Sequence, residues 1–462
     1  MSFDLVRWQG RLDALRAAHH VPGASLAVLT SGSVYELASG LLHRGTGVAV
    51  TTDSVFLAGS LAKVYTATLV MRLADTGALD LDAPAADVLP EFVTPDPDVT
   101  EEITVRRLLS HTGGMTNDFT HDTGRGDDCL ARYVEALRNV SLDCPPGTTL
   151  SYGSSGYVVL GRIVETLTGQ TWDRALRDQV LAPLGLEHSM TLPEEALRFR
   201  VAMGHLGAPG TEPAPAPVWD LMPRSAGPYG RVIVSAGDVV RFARMHMAGG
   251  IAPDGTRVLS AEAVAAMRGR VVDSPDKWSM SADGWGLGWA LYDWDGVPGY
   301  GHDGNAGAQQ SYLRVVPDAG VAVALLTNGG DFSRLYEELF AELLDELAGV
   351  RMPPPFAPPA DPPAVDITPW LGVYAREGVV TTITRDAGGA RISYEFVGGM
   401  REVVESMGGI SPRVEGDLTP VSPTVFAASG LFGHDYMPVV FSTLPDGTPC
   451  VHISMRAAPR TA

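Results

Sequence analysis

Ser60-Leu61-Ala62-Lys63 opens the apolar run Val64-Tyr65-Thr66-Ala67-Thr68-Leu69-Val70-Met71, behind the small residues Ala58 and Gly59. Such a run reads as a helix, which places Ser60 on its first turn and Lys63 on the same face at i+3. A serine hydroxyl becomes a nucleophile when a neighbouring base takes its proton. A lysine one turn away is such a base once burial or nearby charge lowers its pKa. The helix N-terminus also favours negative charge developing at Ser60. The pair is therefore suited to acyl transfer through a covalent serine ester. Ser-x-x-Lys is a common tetrapeptide on helix surfaces, so its weight depends on what accompanies it.

Two later segments accompany it. Pro145-Pro146-Gly147 begins a turn that leads to Tyr152-Gly153-Ser154-Ser155-Gly156. A helix follows, with Val158, Val159, Leu160, Ile163, Val164 and Leu167 as its apolar set. Tyr152 thus falls on a loop just before a helix, either as a core anchor or as a hydroxyl that relays protons. Farther on, Gly301-His302-Asp303-Gly304 precedes Asn305 and the strand-like stretch 310–316. Flanking glycines let a backbone and an imidazole approach a ligand closely.

Ser-x-x-Lys, Tyr-x-Ser and His-x-Gly, in that order, resemble the serine β-lactamase and DD-peptidase superfamily. The nearest branch is that of class C β-lactamases, D-aminopeptidases and related esterases. The resemblance extends over residues 10–350. It includes Leu79-Asp80-Leu81-Asp82-Ala83-Pro84, Ser110-His111-Thr112-Gly113-Gly114 and Gly284-Trp285-Gly286-Leu287-Gly288-Trp289. It implies that Lys63 and Tyr152 together take the Ser60 proton. It implies an oxyanion held between the backbone N–H groups of Ser60 and Asn305, beside Gly304, worth several kcal/mol of barrier. His302 would orient substrate or tune Tyr152. Ser154 would contact lysine and substrate, and Tyr229 either lines the cleft or packs in the core. His111 reads as a structural turn residue, and Ser155 lacks the spacing of a nucleophile elbow. No metal or organic cofactor is implied.

Three departures bear on specificity. The third motif usually begins with lysine, and His302 carries no permanent charge at neutral pH. The second usually ends in asparagine, and Ser154 is shorter with one donor instead of two. No segment supplies the separate glutamate base of class A enzymes.

The rest of the chain must position these groups. Its 462 residues are 45% hydrophobic and 19% charged, enough for a large core and more than one domain. A net charge of −20 argues against nucleic-acid partners and anionic membranes. The N-terminal stretch from Met1 to Trp8 lacks signal-peptide character, and no apolar run reaches the ~20 residues that span a bilayer. Cys129, Cys144 and Cys450 are expected to stay reduced, which points to the cytoplasm. Within residues 1–350, stretches 24–30 and 33–38 start a sheet to which 285–292, 310–316 and 321–327 return. Ser235 begins the helix 239–247 with a capping signature. The expected class is α+β: an antiparallel sheet with flanking helices and a helical lobe. Residues 331–349 form an amphipathic helix that stops at Gly349. Residues 351–366 are a proline-rich linker. Residues 367–462 show short strands at 378–384, 391–397, 437–444 and 449–455, which read as a small all-β barrel with no chemistry of its own. That barrel resembles the lipocalin-like domains attached to some relatives.

The acyl acceptor stays open. Water gives an esterase, amidase, D-aminopeptidase or weak β-lactamase. An amine gives a transacylase or macrocyclase. Penicillin-binding-protein-type thioesterases are similar in motif order and in their C-terminal domain. The partner expected is a small-molecule or peptidyl substrate, free or carrier-protein-bound. A non-catalytic sensor or scaffold is the remaining alternative, against which Ser60, Lys63 and Tyr152 together argue.

Overall fold

The computed structural model describes residues 3–207, 210–220, 222–386, 389–407, 411–431 and 435–462. Met1 and Ser2, the start of the N-terminal stretch read above, lie outside it. Strands from both ends of the N-terminal region meet in one antiparallel sheet. Across it the order is Val48–Ala49, Ser33–His43, Gly23–Thr30, Val321–Thr327, Gln309–Val316, Val297–Ala306, Ala290–Trp294, Gly284–Trp285 and Val272–Asp273. Gly23–Thr30 and Val321–Thr327 pair with Leu26 opposite Leu325, and both are buried throughout. Their unbroken apolar runs suit strands covered on both faces. Leu26 and Val28 meet Trp8, Leu12, Leu339 and Leu343 of the terminal helices Leu5–Ala18 and Phe332–Ala348. Ala27 and Leu29 turn the other way, toward Val239, Val240 and Phe242 of the helix Ala236–Met247.

Two strands differ from expectation. The stretch 33–38 continues to His43. The stretch 285–292 is split into Gly284–Trp285 and Ala290–Trp294. The break falls at Gly288, whose φ is +92° and where a Cβ would lie 2.5 Å from the Ala67 side chain. Close approach to the helix that follows Ser60 therefore decides the backbone there.

That helix, Ala62–Asp75, is buried without interruption from Ala62 to Met71 and packs against the helix Ser155–Thr168. Gly169, at φ +66°, ends the second helix. The terminal helix Phe332–Ala348 is capped by Asp331, which accepts from the Arg334 N–H (3.2 Å), and stops at Gly349.

Residues 351–366 contain no helix or strand. Beyond them eight strands follow one another in chain order, Gly372–Arg376 through Arg456–Pro459, in an antiparallel sheet that curls into a barrel. Its ends meet where the Val373 N–H donates to the Ala462 carbonyl and the Thr461 N–H to the Val373 carbonyl, each at 2.7 Å. Tyr374, Ile383, Ile392, Phe426, Val439 and Phe441 fill its interior. The helix Gly398–Met407, not expected from the sequence, interrupts the strands. No helix among the described residues is long and apolar enough to cross a membrane.

Candidate active site

Ser60 stands on the short 3-10 turn Gly59–Leu61 that leads into Ala62–Asp75. Gly59 takes φ +55°, and a Cβ there would sit 2.3 Å from the Asn305 backbone nitrogen. A Cβ on Gly304 would meet the Ala58 carbonyl at 1.9 Å and the Ser60 backbone nitrogen at 2.8 Å. Both glycines are therefore required for the nucleophile turn and the strand Val297–Ala306 to close on each other. This contact brings the backbone of Ser60 against that of Asn305. The Asn305 side chain bonds instead to Gln310 (2.8 Å) at an exposed position.

Lys63 is fully buried. Its Nζ lies 3.1 Å from Ser60 Oγ, 3.2 Å from Ser154 Oγ and 3.1 Å from the Tyr229 carbonyl oxygen. Among the described residues it has no carboxylate partner. The faces of Tyr152, Tyr157 and Tyr229 surround it at 4.7, 5.7 and 5.2 Å. Burial, and secondarily the charge of Arg456, hold its pKa well below that of a free lysine. Ser154 Oγ donates its one proton to Asn117 Oδ1 (2.7 Å), so toward Lys63 it is an acceptor. A neutral amine has two N–H groups and one lone pair. Ser154 and the Tyr229 carbonyl take the two protons, and the lone pair is left for the Ser60 hydroxyl.

Tyr152 precedes its helix on a loop and is buried. Its hydroxyl makes no well-aligned hydrogen bond among the described residues, and the side chain it faces is that of Ser60. Burial pushes the phenol well above its ordinary range, against the opposing pull of nearby Ser60 and Arg456, so it stays protonated. His302 is fully buried on the strand Val297–Ala306, opposite Leu313. Its Nδ1 donates to the Asp303 carbonyl (2.5 Å), which leaves Nε2 as an unpartnered acceptor. Burial, then the nearby Lys63, push its pKa down to about 3, so the ring is neutral.

His111 packs on Tyr152 with ring centres 4.4 Å apart. Its Nδ1 accepts from the Gly153 N–H (3.1 Å), and its carbonyl from the Ser151 N–H (2.9 Å). It thus shapes the tyrosine loop, as a turn histidine would. Trp285 stands edge-on to Tyr152 and His302, at 5.6 and 5.5 Å. The structure therefore brings Ser60, Lys63, Tyr152, Ser154, His302, Gly304, the Asn305 backbone and Tyr229 together. Tyr229 contributes its carbonyl as well as its ring.

Sequence reasoning missed three contributors. Asn117 fixes the orientation of Ser154 from a loop without a motif. Arg314, buried on the adjacent strand Gln309–Val316, pairs with Asp303 next to His302. Arg456 comes from the C-terminal barrel, which the sequence reading credited with no chemistry. Its Cζ lies 5.5 Å from the Tyr152 ring. Its Nη1 donates to the Ser454 carbonyl (3.0 Å), its buried Nε has no partner, and no carboxylate among the described residues pairs with it. Nothing in the residues around Arg456 signals this role, because strand pairing brings it to the cleft. All three cysteines are free and buried, and Cys144 lies beside Cys450, not Cys129.

A family profile described as Beta-lactamase matches residues 8–346. The protein "Penicillin-binding protein 4" of Amycolatopsis lactamdurans is 66% identical over 82% of this chain and 99% of its own length. The "Unguisins hydrolase ungD'" of Aspergillus campestris is 25% identical over 77% of this chain and 73% of its own. Among solved structures, SurE superposes with a TM-score of 0.79 at 31% identity, covering 99% of both chains. A class C beta-lactamase superposes with a TM-score of 0.62 over 74% of this chain and 98% of its own, at 19% identity, a likeness of fold.

Proposed function

Because the chain belongs to the beta-lactamase family and is a serine hydrolase of it, we propose that it works through a Ser60 acyl-enzyme. The substrate is an ester, thioester or amide, in the first instance of a peptide containing a D-residue. The observation that carries this reading is the buried Lys63, whose two N–H groups have acceptors other than Ser60. Its lone pair takes the Ser60 proton as Oγ attacks the substrate carbonyl. The N–H groups of Ser60 and Asn305 receive the oxyanion, and a single such donor is worth about 3 kcal/mol of barrier. The resulting ammonium is costly in a site that disfavours its charge. Tyr152, a protonated phenol, hands a proton to the leaving group and recovers one from Lys63. Tyr152 is in this reading a donor and relay, not a partner base. His302 Nε2 accepts a hydrogen bond from a substrate N–H or from Tyr152. In the second half-reaction the acceptor gives its proton to Lys63 and attacks the ester carbonyl, and Lys63 returns that proton to Ser60 Oγ as the serine leaves.

The D-residue reading is supported by SurE, also solved with D-Leu at 31% identity. The hydrolytic reading is supported by the relative named a hydrolase of unguisins. A second reading has an amine of the same peptide as acceptor, which makes the enzyme a peptide-cyclising thioesterase acting on a carrier-bound chain. Its support is the C-terminal barrel, the feature by which the chain resembles penicillin-binding-protein-type thioesterases and which lies outside residues 8–346 matched by the family profile. Incubation with a peptidyl thioester ending in a D-residue separates the readings by whether the product is linear or cyclic. Intact-mass spectrometry should show an acyl adduct on the wild type and none on Ser60→Ala. An adduct on the variant overturns the nucleophile.

A further inference from the structure

The barrel reaches the active site through its last hairpin. Ile453 pairs with Arg456, so Ser454 and Met455 form a two-residue turn. Both take positive φ, +51° and +66°. Asn and Gly are the usual occupants of such a turn, and other side chains hold it at a cost. Three hydrogen bonds to the catalytic domain meet that cost. The Met455 N–H donates to Asp276 Oδ2 (3.0 Å), the Ala457 N–H donates to Ser151 Oγ (3.1 Å), and the Met455 carbonyl accepts from the Tyr152 N–H (2.9 Å).

Asp276 is fully buried, and among the described residues no cation pairs with it. Besides Met455, the Ser279 N–H (3.2 Å), the Ser279 hydroxyl and the Trp278 backbone donate to it. Burial pushes its pKa up, and these donors oppose that. Ser151 Oγ–H donates to Asp143 Oδ2 (2.9 Å), so its oxygen is turned to receive Ala457. A buried carboxylate held by several protein donors is a strong, directional anchor.

We propose that Asp276 and Ser151 are positioning residues that clamp the turn 454–457 of the C-terminal barrel into the active-site wall, where it holds the Tyr152 backbone and presents Arg456 toward Lys63. The catalytic consequence rests on the Ser60 acyl-enzyme reading. The groups facing Lys63 are Arg456 from the turn, His302 from its strand, His111 beside the tyrosine loop, and Tyr152, Tyr157 and Tyr229. Arg456 is the one fixed cation among them. Releasing the turn removes that charge from the vicinity of the lysine and frees the tyrosine loop.

The test uses the full-length protein with Asp276→Ala, Ser151→Ala and the isosteric Asp276→Asn. Hydrogen exchange of segments 150–153 and 454–457 should rise about tenfold in the alanine variants, with the barrel's central strands unchanged. The rate of Ser60 labelling by a fluorescent phosphonate, read on the rising limb of its pH profile, should fall about tenfold, and the pH midpoint should move upward. Asp276→Asn keeps an acceptor and should recover most of both effects. Should Asp276→Ala fail to fold, Ser151→Ala and Asp276→Asn still report the same two quantities. Unchanged exchange overturns the clamp. Raised exchange with wild-type labelling overturns its catalytic role. Slower labelling with an unmoved pH midpoint and a lowered Tm marks a merely structural role and also overturns it. If the wild type is not labelled at all, the Ser60 reading fails, and exchange alone decides the clamp.

Discussion

Replacing Arg456 with methionine should move the pH dependence of acylation. Lys63 must be neutral to accept the Ser60 proton, so the rate rises as pH passes through the lysine's pKa. That pKa is held down by burial first and by Arg456 second. A neighbouring cation disfavours the ammonium, so removing it raises the pKa and moves the rising limb to higher pH. Nζ and the guanidinium carbon lie 4.7 and 5.5 Å from the centre of the same Tyr152 ring, so the charges are at most about 10 Å apart. At an effective dielectric near 20, that separation is worth about 1.6 kcal/mol, on the order of one pH unit. Partial exposure of Arg456 to solvent screens this, and the expected displacement is about half a unit to one unit. The assay is the pH profile of kcat/KM for an activated ester, or of phosphonate labelling, at fixed ionic strength. Arg456→Met should lose about three- to tenfold on the rising limb of the profile and recover at high pH, whereas Arg456→Lys should keep the wild-type midpoint. A midpoint that stays put, or moves downward, in Arg456→Met refutes the electrostatic link between barrel and lysine.

Gly304→Ala should cost about a hundredfold or more in kcat, because its Cβ would enter the space between Ala58 and the Ser60 backbone nitrogen. A variant with wild-type kcat would contradict the tight closure of strand on nucleophile turn. Lys63→Met should raise Tm at pH 7. Folding holds the lysine's pKa well below its free value, so the unfolded state binds more protons and stability rises with pH. The advantage of methionine should therefore shrink toward pH 10, and a gain independent of pH in thermal melts would refute a neutral Lys63. Benzylpenicillin should be turned over poorly beside activated esters, since His302, neutral and buried, offers no fixed positive charge to the penicillin carboxylate. Steady-state kinetics showing comparable kcat/KM for both would overturn that view of the site.

The sequence by itself determined the local chemistry and its immediate scaffolding. Ser60 and Lys63 are three residues apart at the head of an apolar run, so helical periodicity alone puts them on one face. Tyr152 precedes a helix whose apolar pattern begins within a few residues, and His302 lies between glycines ahead of a strand. The stretches 24–30 and 321–327 also announced strands of one sheet. Tertiary structure decided what periodicity has no means to encode. The split of the stretch 285–292 comes from Gly288 meeting Ala67, a contact between elements far apart in the chain. The eight-stranded closure of the barrel depends on Val373 meeting Thr461 and Ala462. The base role proposed for Lys63 depends on complete burial and on acceptors drawn from Ser154 and Tyr229, separate segments that only the folded lobe brings together. Arg456 has no motif around it. It belongs to the site because two non-glycine residues are held in a left-handed turn by Asp276 and Ser151 across a domain boundary.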